Sequence, residues 1–161
     1  MTRIEQPATI TELQLLVGAE LGPTRWRKID QAAVNAFADV TDDHQWIHLD
    51  AERAARSPFG TTIAHGLFTL SLGPAMSGEL LTFERFAHTL NYGYEKVRFP
   101  APLPVGSRLR LRVVVESVQA IGPGVAHVVI RQIFEREDGI KPVCVANAVG
   151  RVTEDTLAGE R

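Results

Sequence analysis

Residues 41–50, TDDHQWIHLD, combine several groups that could do chemistry within one short stretch. The apolar side chains Trp46 and Ile47 stand among them and require a dry environment, so the stretch is not simply a solvated run of charges. The ionisable side chains are Asp42, Asp43, His44, His48 and Asp50. Three interpretations fit these residue types: a metal site, an acid/base pair, or a helix end followed by an exposed loop.

A metal site would use His44 and His48, which are four residues apart, as an i, i+4 pair on a helix. Zinc requires a third protein ligand, and the HExxH form has Glu after the first His, where this chain has Gln45. In the structural interpretation, the side chain of Asp42 or Asp43 accepts hydrogen bonds from backbone N–H groups at a helix end. Asp residues commonly have this role in loops.

The acid/base interpretation uses Asp43 and His48, which an irregular turn could bring together on one small molecule. A carboxylate and an imidazole around one water form a base and proton shuttle near neutral pH. Trp46 and Ile47 would anchor the loop and exclude water. The stretch contains no hydroxyl or thiol nucleophile at this pair, so a nucleophilic triad is not indicated. Asp42 and His44 are expected to be bystanders.

The elements that must position these residues follow from periodicity and caps. Asp30 is expected to cap a helix over residues 31–41, and Asp50 to cap a short helix over residues 51–57. Residues 65–81 are apolar on nearly every side, which predicts a buried central helix. Pro74 lies inside it and should cause a kink or a break.

The second half of the chain predicts strands. In residues 108–121, Leu109, Leu111, Val113 and Val115 alternate with arginines, as in a strand with one buried and one solvated face. Tight turns connect it to strands over 125–137 and 141–153, and a further strand covers 87–99. This predicts an α+β fold, a long antiparallel sheet wrapped around a buried central helix. We expect a single domain over residues 1–161, with a core at about 20–153 and a loose tail over 154–161.

Composition excludes several classes of protein. The chain has 161 residues, 45% of them hydrophobic and 22% charged, and a net charge of −2, as in ordinary globular domains. This charge gives no reason to expect nucleic acid or an anionic membrane as partner. The single cysteine, Cys144, excludes an internal disulfide and is expected to be buried. No secretory signal or membrane span is indicated, so a cytoplasmic protein is expected.

Residues 37–72, FADVTDDHQWIHLDAERAARSPFGTTIAHGLFTLSL, resemble the hydratase signature of the MaoC-like family, the (R)-specific enoyl-CoA hydratases of the hot-dog fold. That signature, Asp-x-Asn-Pro-x-His, falls on Asp43 to His48, and its later His-Gly falls on His65 and Gly66. Residues 97–112, VRFPAPLPVGSRLRLR, are similar to the family's strand, Pro corner and long strand. The resemblance covers about residues 20–153.

The resemblance implies reversible addition of water to a trans-2-enoyl thioester, giving an (R)-3-hydroxyacyl product, within fatty-acid metabolism. Asp43 and His48 would activate the water, and the backbone N–H of Gly66 would receive the charge that develops on the thioester oxygen. His65 is expected only to pack or cap the helix start. The resemblance implies no metal and no cofactor, with coenzyme A or an acyl carrier protein as the substrate's carrier, and a homodimer whose sheets join.

The chain also departs from the family pattern. Gln45–Trp46 replaces Asn-Pro, and Asp42 replaces a small residue. Pro74 stands where some relatives have a serine near the site. Two other functions therefore remain open: a hot-dog acyl-CoA thioesterase and a non-catalytic acyl-thioester binding protein. Arginines on the 108–121 strand could attract coenzyme A phosphates, but they are more typical of a solvated sheet face.

Overall fold

The computed structural model describes residues 4–155 of the chain. The helices described all precede the long strands, so the predicted change of character near residue 86 is confirmed. The elements are α1 Ile10–Gln14, β1 Glu20–Leu21, β2 Arg27–Lys28, α2 Gln31–Thr41, α3 Trp46–Leu49, α4 Ala51–Ala55, α5 Gly66–Ser71, α6 Gly73–Ser77, β3 Phe86–Arg98, β4 Arg108–Gly122, β5 Val125–Arg136 and β6 Cys144–Glu154.

The strands form one antiparallel sheet in the order β1-β4-β5-β6-β3, with β2 also paired to β4. The predicted meander of three long strands is therefore confirmed as β4, β5 and β6. β3 is the first of the long strands along the chain and lies at the far edge of the sheet, where it pairs with β6. The fold is α+β, as predicted.

The alternation in β4 sorts its side chains between the two faces of the sheet. Leu109, Leu111, Val113 and Val115 are fully buried against the helices. The arginines lie on the other face and are held in ion pairs: Arg108 with Glu137, and both Arg110 and Arg112 with Glu135. These arginines therefore lie on the solvated face of the sheet, the interpretation that the sequence favoured over binding of coenzyme A phosphates.

The predicted central helix over residues 65–81 is shorter than expected and is interrupted. α5 ends at Ser71 and α6 runs only from Gly73 to Ser77, with Pro74 in the first turn of α6, where it has no intrahelical hydrogen bond to break. A single chain does not provide the expected burial on all sides, because the sheet covers one side of these helices and leaves Leu67 63% exposed.

The caps agree with the sequence, and the termini differ from it. The Asp30 and Asp50 side chains accept hydrogen bonds from the backbone N–H groups of Ala33 and Arg53, confirming both N-caps.

The core begins before residue 20, since Leu13 in α1 is fully buried. Glu154 ends β6, so it belongs to the sheet and not to a tail; residues 156–161 of the predicted tail lie outside the described part. Cys144 is buried, as predicted. Within residues 4–155, no helix is long and apolar enough to cross a membrane.

Candidate active site

The predicted acid/base pair lies at the junction of α2 and α3. α2 ends at Thr41, and the left-handed conformation of its C-cap, Asp42 (φ 58°), turns the chain sharply out of the helix. Gln45 is extended, and α3 then begins at Trp46 and carries His48 into the interior. Because this reversal separates His44 from α3, the alternative i, i+4 histidine pair on one helix does not form.

His48 is held in one tautomer by the loop that precedes α5. Its Nδ1 lies 2.6 Å from the carbonyl oxygen of Ile63, and because a carbonyl only accepts, Nδ1 carries the proton. In the neutral ring, Nε2 then keeps a lone pair. Burial lowers the pKa of His48, and the neighbouring His65 adds to this effect, while the Ile63 bond and Asp43 oppose it. The geometry therefore supplies a neutral imidazole with an available basic nitrogen.

His65 joins the predicted pair, which the sequence did not lead us to expect. Its ring stacks on that of His48, with centroids 3.7 Å apart, and its Nε2 donates to the backbone carbonyl of Asp43 over 3.0 Å. It makes no side-chain cap at α5. A carboxylate oxygen of Asp43 and ring nitrogens of His48 and His65 all lie within 4.8 Å of one another. The one signal for His65 in the sequence was its position directly before Gly66.

This group has the donor types of a metal site, but its arrangement does not suit one. The lone pair of an imidazole nitrogen lies in the ring plane, and the planes of His48 and His65 are only 26° apart in a stack. Lone pairs from stacked rings run side by side and do not converge on one ion as tetrahedral zinc requires. The Asp43 carboxylate is also half exposed. The arrangement fits proton transfer better than metal binding.

A hydrogen-bond network holds the backbone of His48 in place. Gln31, the first residue of α2, donates from Nε2 to the His48 carbonyl over 2.7 Å and accepts from the Thr62 hydroxyl over 2.6 Å. The Ile63 N–H donates to the carbonyl of Ile47 over 3.0 Å. These contacts join α2, α3 and the loop before α5. Gln31 was not predicted, since a glutamine in a first helical turn carries no sequence signal for this role.

Gly66 and His48 line the same cavity, of about 310 Å³. Gly66 is the first residue of α5, so its N–H lies outside the intrahelical hydrogen-bond ladder. A Cβ at this position would lie 2.9 Å from the ring of Phe99, which also lines the cavity, so the close packing of that ring requires glycine. The structure therefore brings the predicted oxyanion donor and the predicted base onto one cavity.

The remaining residues of the opening motif lie around this site. Trp46 is half-buried, with the guanidinium of Arg53 4.2 Å from its ring centroid, and Ile47 lines the cavity. His44 points outward, where its ring nitrogens lie 3.0 Å from Asp39 and 3.4 Å from Asp42. The positions of Asp42 and His44 agree with the bystander role expected for them.

The chain is similar to several known proteins. Residues 12–136 match the MaoC like domain family. The chain is 45% identical to 3-hydroxyacyl-thioester dehydratase Z of Mycobacterium tuberculosis, over 89% of this chain and 95% of that protein. It is 40% identical to nodulation protein N of Rhizobium meliloti, over 86% and 88%. The unliganded structure of the R-hydratase PhaJ1 from Pseudomonas aeruginosa has a TM-score of 0.71 and 25% identity, covering 92% of this chain and 87% of that one.

Proposed function

The chain belongs to the family of MaoC like domains, and on this premise we propose that it is a hydro-lyase acting on acyl thioesters. It adds water reversibly to a trans-2-enoyl thioester, giving the (R)-3-hydroxyacyl thioester, and runs the dehydration in the other direction. The relatives named as a dehydratase and an R-hydratase support this activity, as does the hot-dog fold that the chain shares with the solved structure.

The observation that carries the proposed mechanism is the hydrogen bond from His48 Nδ1 to the Ile63 carbonyl. It leaves Nε2 as the basic nitrogen of a buried, neutral imidazole. In our proposal, Asp43 and His48 hold one water between them. Nε2 takes a proton from the water as the water oxygen bonds to C3, and the protonated His48 then delivers that proton to C2, so that the new O–H and C2–H both derive from that water.

Negative charge develops on the thioester oxygen as the C3–O bond forms. The N–H of Gly66 is proposed to receive it, since a backbone donor at a helix start stabilises such a charge without reorganisation. Phe99, packed against Gly66, excludes water from this part of the cavity.

Substitution of the proposed pair tests this mechanism. Asp43→Asn and His48→Gln should each lower kcat for enoyl-CoA hydration by about 100-fold or more, the usual size of general acid/base contributions. Loss of enoyl ultraviolet absorbance measures the rate. His44→Gln is the matched control, because that ring lies outside the site, and it should keep nearly full activity. Near-full activity in folded Asp43 and His48 variants would contradict the assignment.

The same assay separates the alternative functions. A thioesterase would release free thiol from a saturated acyl-CoA, whereas the proposed enzyme would leave that substrate intact and consume only the enoyl-CoA. A non-catalytic binding protein would bind both thioesters and turn over neither. Chiral analysis of the hydration product should show the (R)-3-hydroxyacyl form.

We propose that the reaction needs no metal and no cofactor beyond the substrate's own carrier, coenzyme A or an acyl carrier protein. Water and the thioester supply every atom of the product, and the side chains above supply the proton transfers. We also propose that the protein acts in the cytoplasm, where a single buried thiol such as Cys144 stays reduced.

We propose further that the chain forms a homodimer through β3. This edge strand has 13 residues, and among the described strands it pairs only with β6. Its residues 89–94 carry no charge, and Leu90 and Tyr92 are 52% and 57% exposed. Long, uncharged, apolar edges invite pairing with another strand. Residues of α6 and of β3 line one cavity, so a second copy joined at β3 would also cover α6.

A further inference from the structure

The loop before α5 places a second histidine beside His48, and the proposed mechanism does not use it. His65 is only 3% exposed, and its ring contacts those of Phe37 and His48, with centroids 5.1 and 3.7 Å away. Packing alone does not account for a histidine here, because a ring without polar atoms would fill the same space and leave no polar group to satisfy. The two ring nitrogens of His65 therefore need a separate explanation.

The proton of the His65 ring has a definite place. Nε2 lies 3.0 Å from the backbone carbonyl oxygen of Asp43, and because a carbonyl only accepts, Nε2 carries the proton. Nδ1 is buried and has no hydrogen-bond partner in the part of the chain that the structure describes. A proton on Nδ1 would be a buried donor without an acceptor, which is unfavourable. The ring of His65 therefore contributes one hydrogen bond to the site, and that bond goes to Asp43.

Asp43 stands in a part of the chain that regular structure does not hold. Residues 43–45 belong to no helix or strand, and they follow the reversal of the chain at Asp42. The Asp43 side chain is 54% exposed, so packing restricts it only weakly. His65 Nε2 is bonded to the Asp43 carbonyl and also lies 4.0 Å from an oxygen of the Asp43 carboxylate. His65 thus connects the exposed Asp43 to the buried part of the site.

The position of Asp43 matters if its carboxylate and His48 act on one water. An oxygen of this carboxylate and ring nitrogens of His48 and His65 lie within 4.8 Å of one another. A group that orients a reacting water is effective only while its distance and direction are maintained, and a displacement of about 1 Å can cost about 100-fold in rate. The Ile63 carbonyl fixes the ring of His48. The hydrogen bond from His65 serves the same purpose for Asp43.

We propose that His65 is a positioning residue for the hydration reaction. Its Nε2–H holds the Asp43 carbonyl, and this hydrogen bond keeps the Asp43 carboxylate directed at the water that it shares with His48. In this role His65 acts through Asp43 and exchanges no proton with the substrate. The inference rests on the proposed function, because it assigns a role within that reaction.

A matched pair of substitutions isolates the hydrogen bond. His65→Gln and His65→Met have side chains of similar length and both lack the ring, but only glutamine supplies an N–H donor for the Asp43 carbonyl. His65→Met should lower kcat for enoyl-CoA hydration by about tenfold or more relative to His65→Gln, because a displaced Asp43 slows the chemical step. The KM values should be similar, since Asp43 holds the water and not the thioester. His44→Gln and His44→Met are the control pair; that ring is exposed outside the site, so their kcat values should be equal.

A second comparison distinguishes positioning of Asp43 from a general role in folding. In the Asp43→Asn background, His65→Gln and His65→Met should have nearly equal kcat values, because the carboxylate that the hydrogen bond directs is already absent. A purely structural role would lower kcat by the same factor in both backgrounds. That result would overturn the proposal, as would equal kcat values for His65→Gln and His65→Met when Asp43 is intact.

Nuclear magnetic resonance tests the hydrogen bond without turnover, and so separates failure of this inference from failure of the proposed function. The amide N–H of His44 belongs to the same peptide group as the Asp43 carbonyl, so its nitrogen relaxation reports whether that group is held. The order parameter of this amide should be equal in the wild type and His65→Gln and lower in His65→Met.

A wild-type protein that hydrates no enoyl-CoA would show that the proposed function is wrong. In that case a lower order parameter in His65→Met still supports the holding of Asp43 by His65, and an unchanged one overturns it. The ring nitrogen shifts of the wild-type protein give a test that needs neither variant to fold. They should place the proton of His65 on Nε2, and a proton on Nδ1 would overturn the inference.

Discussion

The surroundings of His48 determine which ring nitrogen carries the proton. The Ile63 carbonyl binds Nδ1, and the His65 ring covers one face of the imidazole. Neighbouring His44, only four residues earlier, is exposed and bonded to Asp39. The two histidines therefore have opposite electrostatic environments: burial lowers the pKa of His48 below its ordinary 6.5, and the hydrogen bond to Asp39 raises the pKa of His44 above it.

This contrast predicts the pH dependence of activity. If neutral His48 is the base, kcat/KM should fall on the acid side with a midpoint below pH 6.5, because protonation of the buried ring removes the lone pair of Nε2. The same shift means that the unfolded chain binds this proton more readily than the folded one. His48 should therefore reduce folding stability as the pH falls below 6.5.

A nuclear magnetic resonance titration of the histidine ring protons measures the pKa values directly, with His48→Gln used to assign the His48 signal. His44 serves as the internal control and should titrate above 6.5 in the same spectra. A His48 signal that titrates at or above the His44 signal would show that our description of the site's electrostatics is wrong.

The junction between α2 and α3 determines whether Asp43 and His48 meet. The reversal of the chain at this junction depends on Asp42, which lies in the left-handed region at φ 58°. Residues other than glycine have a steric cost in this region. The sequence comparison with the family marked this position as one that usually has a small residue. The structure supplies the reason, since the chain must reverse there to direct α3 back toward the core.

Substitutions at Asp42 test this role in the junction. Asp42→Gly should be more stable than Asp42→Ala by about 1 kcal/mol, because only glycine adopts this conformation without a steric cost. Asn35, in the middle of α2, provides the matched pair. There Asn35→Ala should be more stable than Asn35→Gly by about 1 kcal/mol, the difference in helix propensity. Urea unfolding measures both pairs, and the same order at both positions would contradict the explanation.

At the scale of the whole molecule, the isolated chain leaves two adjacent apolar surfaces exposed. One is the edge strand β3, and the other is the side of α5–α6 that carries Leu67. Pro74 and Ser77 of α6 and Thr89 and Leu90 of β3 line the same cavity, which shows that α6 and β3 are adjacent. A pair of chains joined at β3 would extend the sheet and cover the helices, completing the burial that the sequence predicted for residues 65–81.

The dimer predicts a specific effect of charge. Light scattering coupled to size-exclusion chromatography should give twice the mass of one chain for the wild type. Leu90→Lys should shift the protein toward monomer at low concentration, because a buried, unpaired cation at an interface is costly. Val40→Lys is the control, since Val40 is 86% exposed on α2, away from β3, and it should leave the mass unchanged. A monomeric wild type would refute this assembly.

Much of this protein could be predicted from local patterns in the sequence. Period-two alternation in residues 108–121 predicted β4 and its buried face, and the acids before apolar helical runs predicted the caps at Asp30 and Asp50. The spacing of Asp43 and His48 identified a candidate pair. These features depend on neighbours in the chain, and so a sequence pattern alone is enough to predict them.

Only the tertiary structure decided the features that depend on residues distant in the chain. The orientation of His48 comes from Ile63, the stacking partner His65 lies 17 positions further on (65 − 48), and Gln31 supports the site from another helix. The exposure of one side of α5 depends on how much of the helix the sheet covers. The burial of Gln132 depends on the packing of α6 against β5. Residue types and periodicity restrict what each segment can become, but contacts between segments are set by packing in three dimensions, which no local pattern encodes.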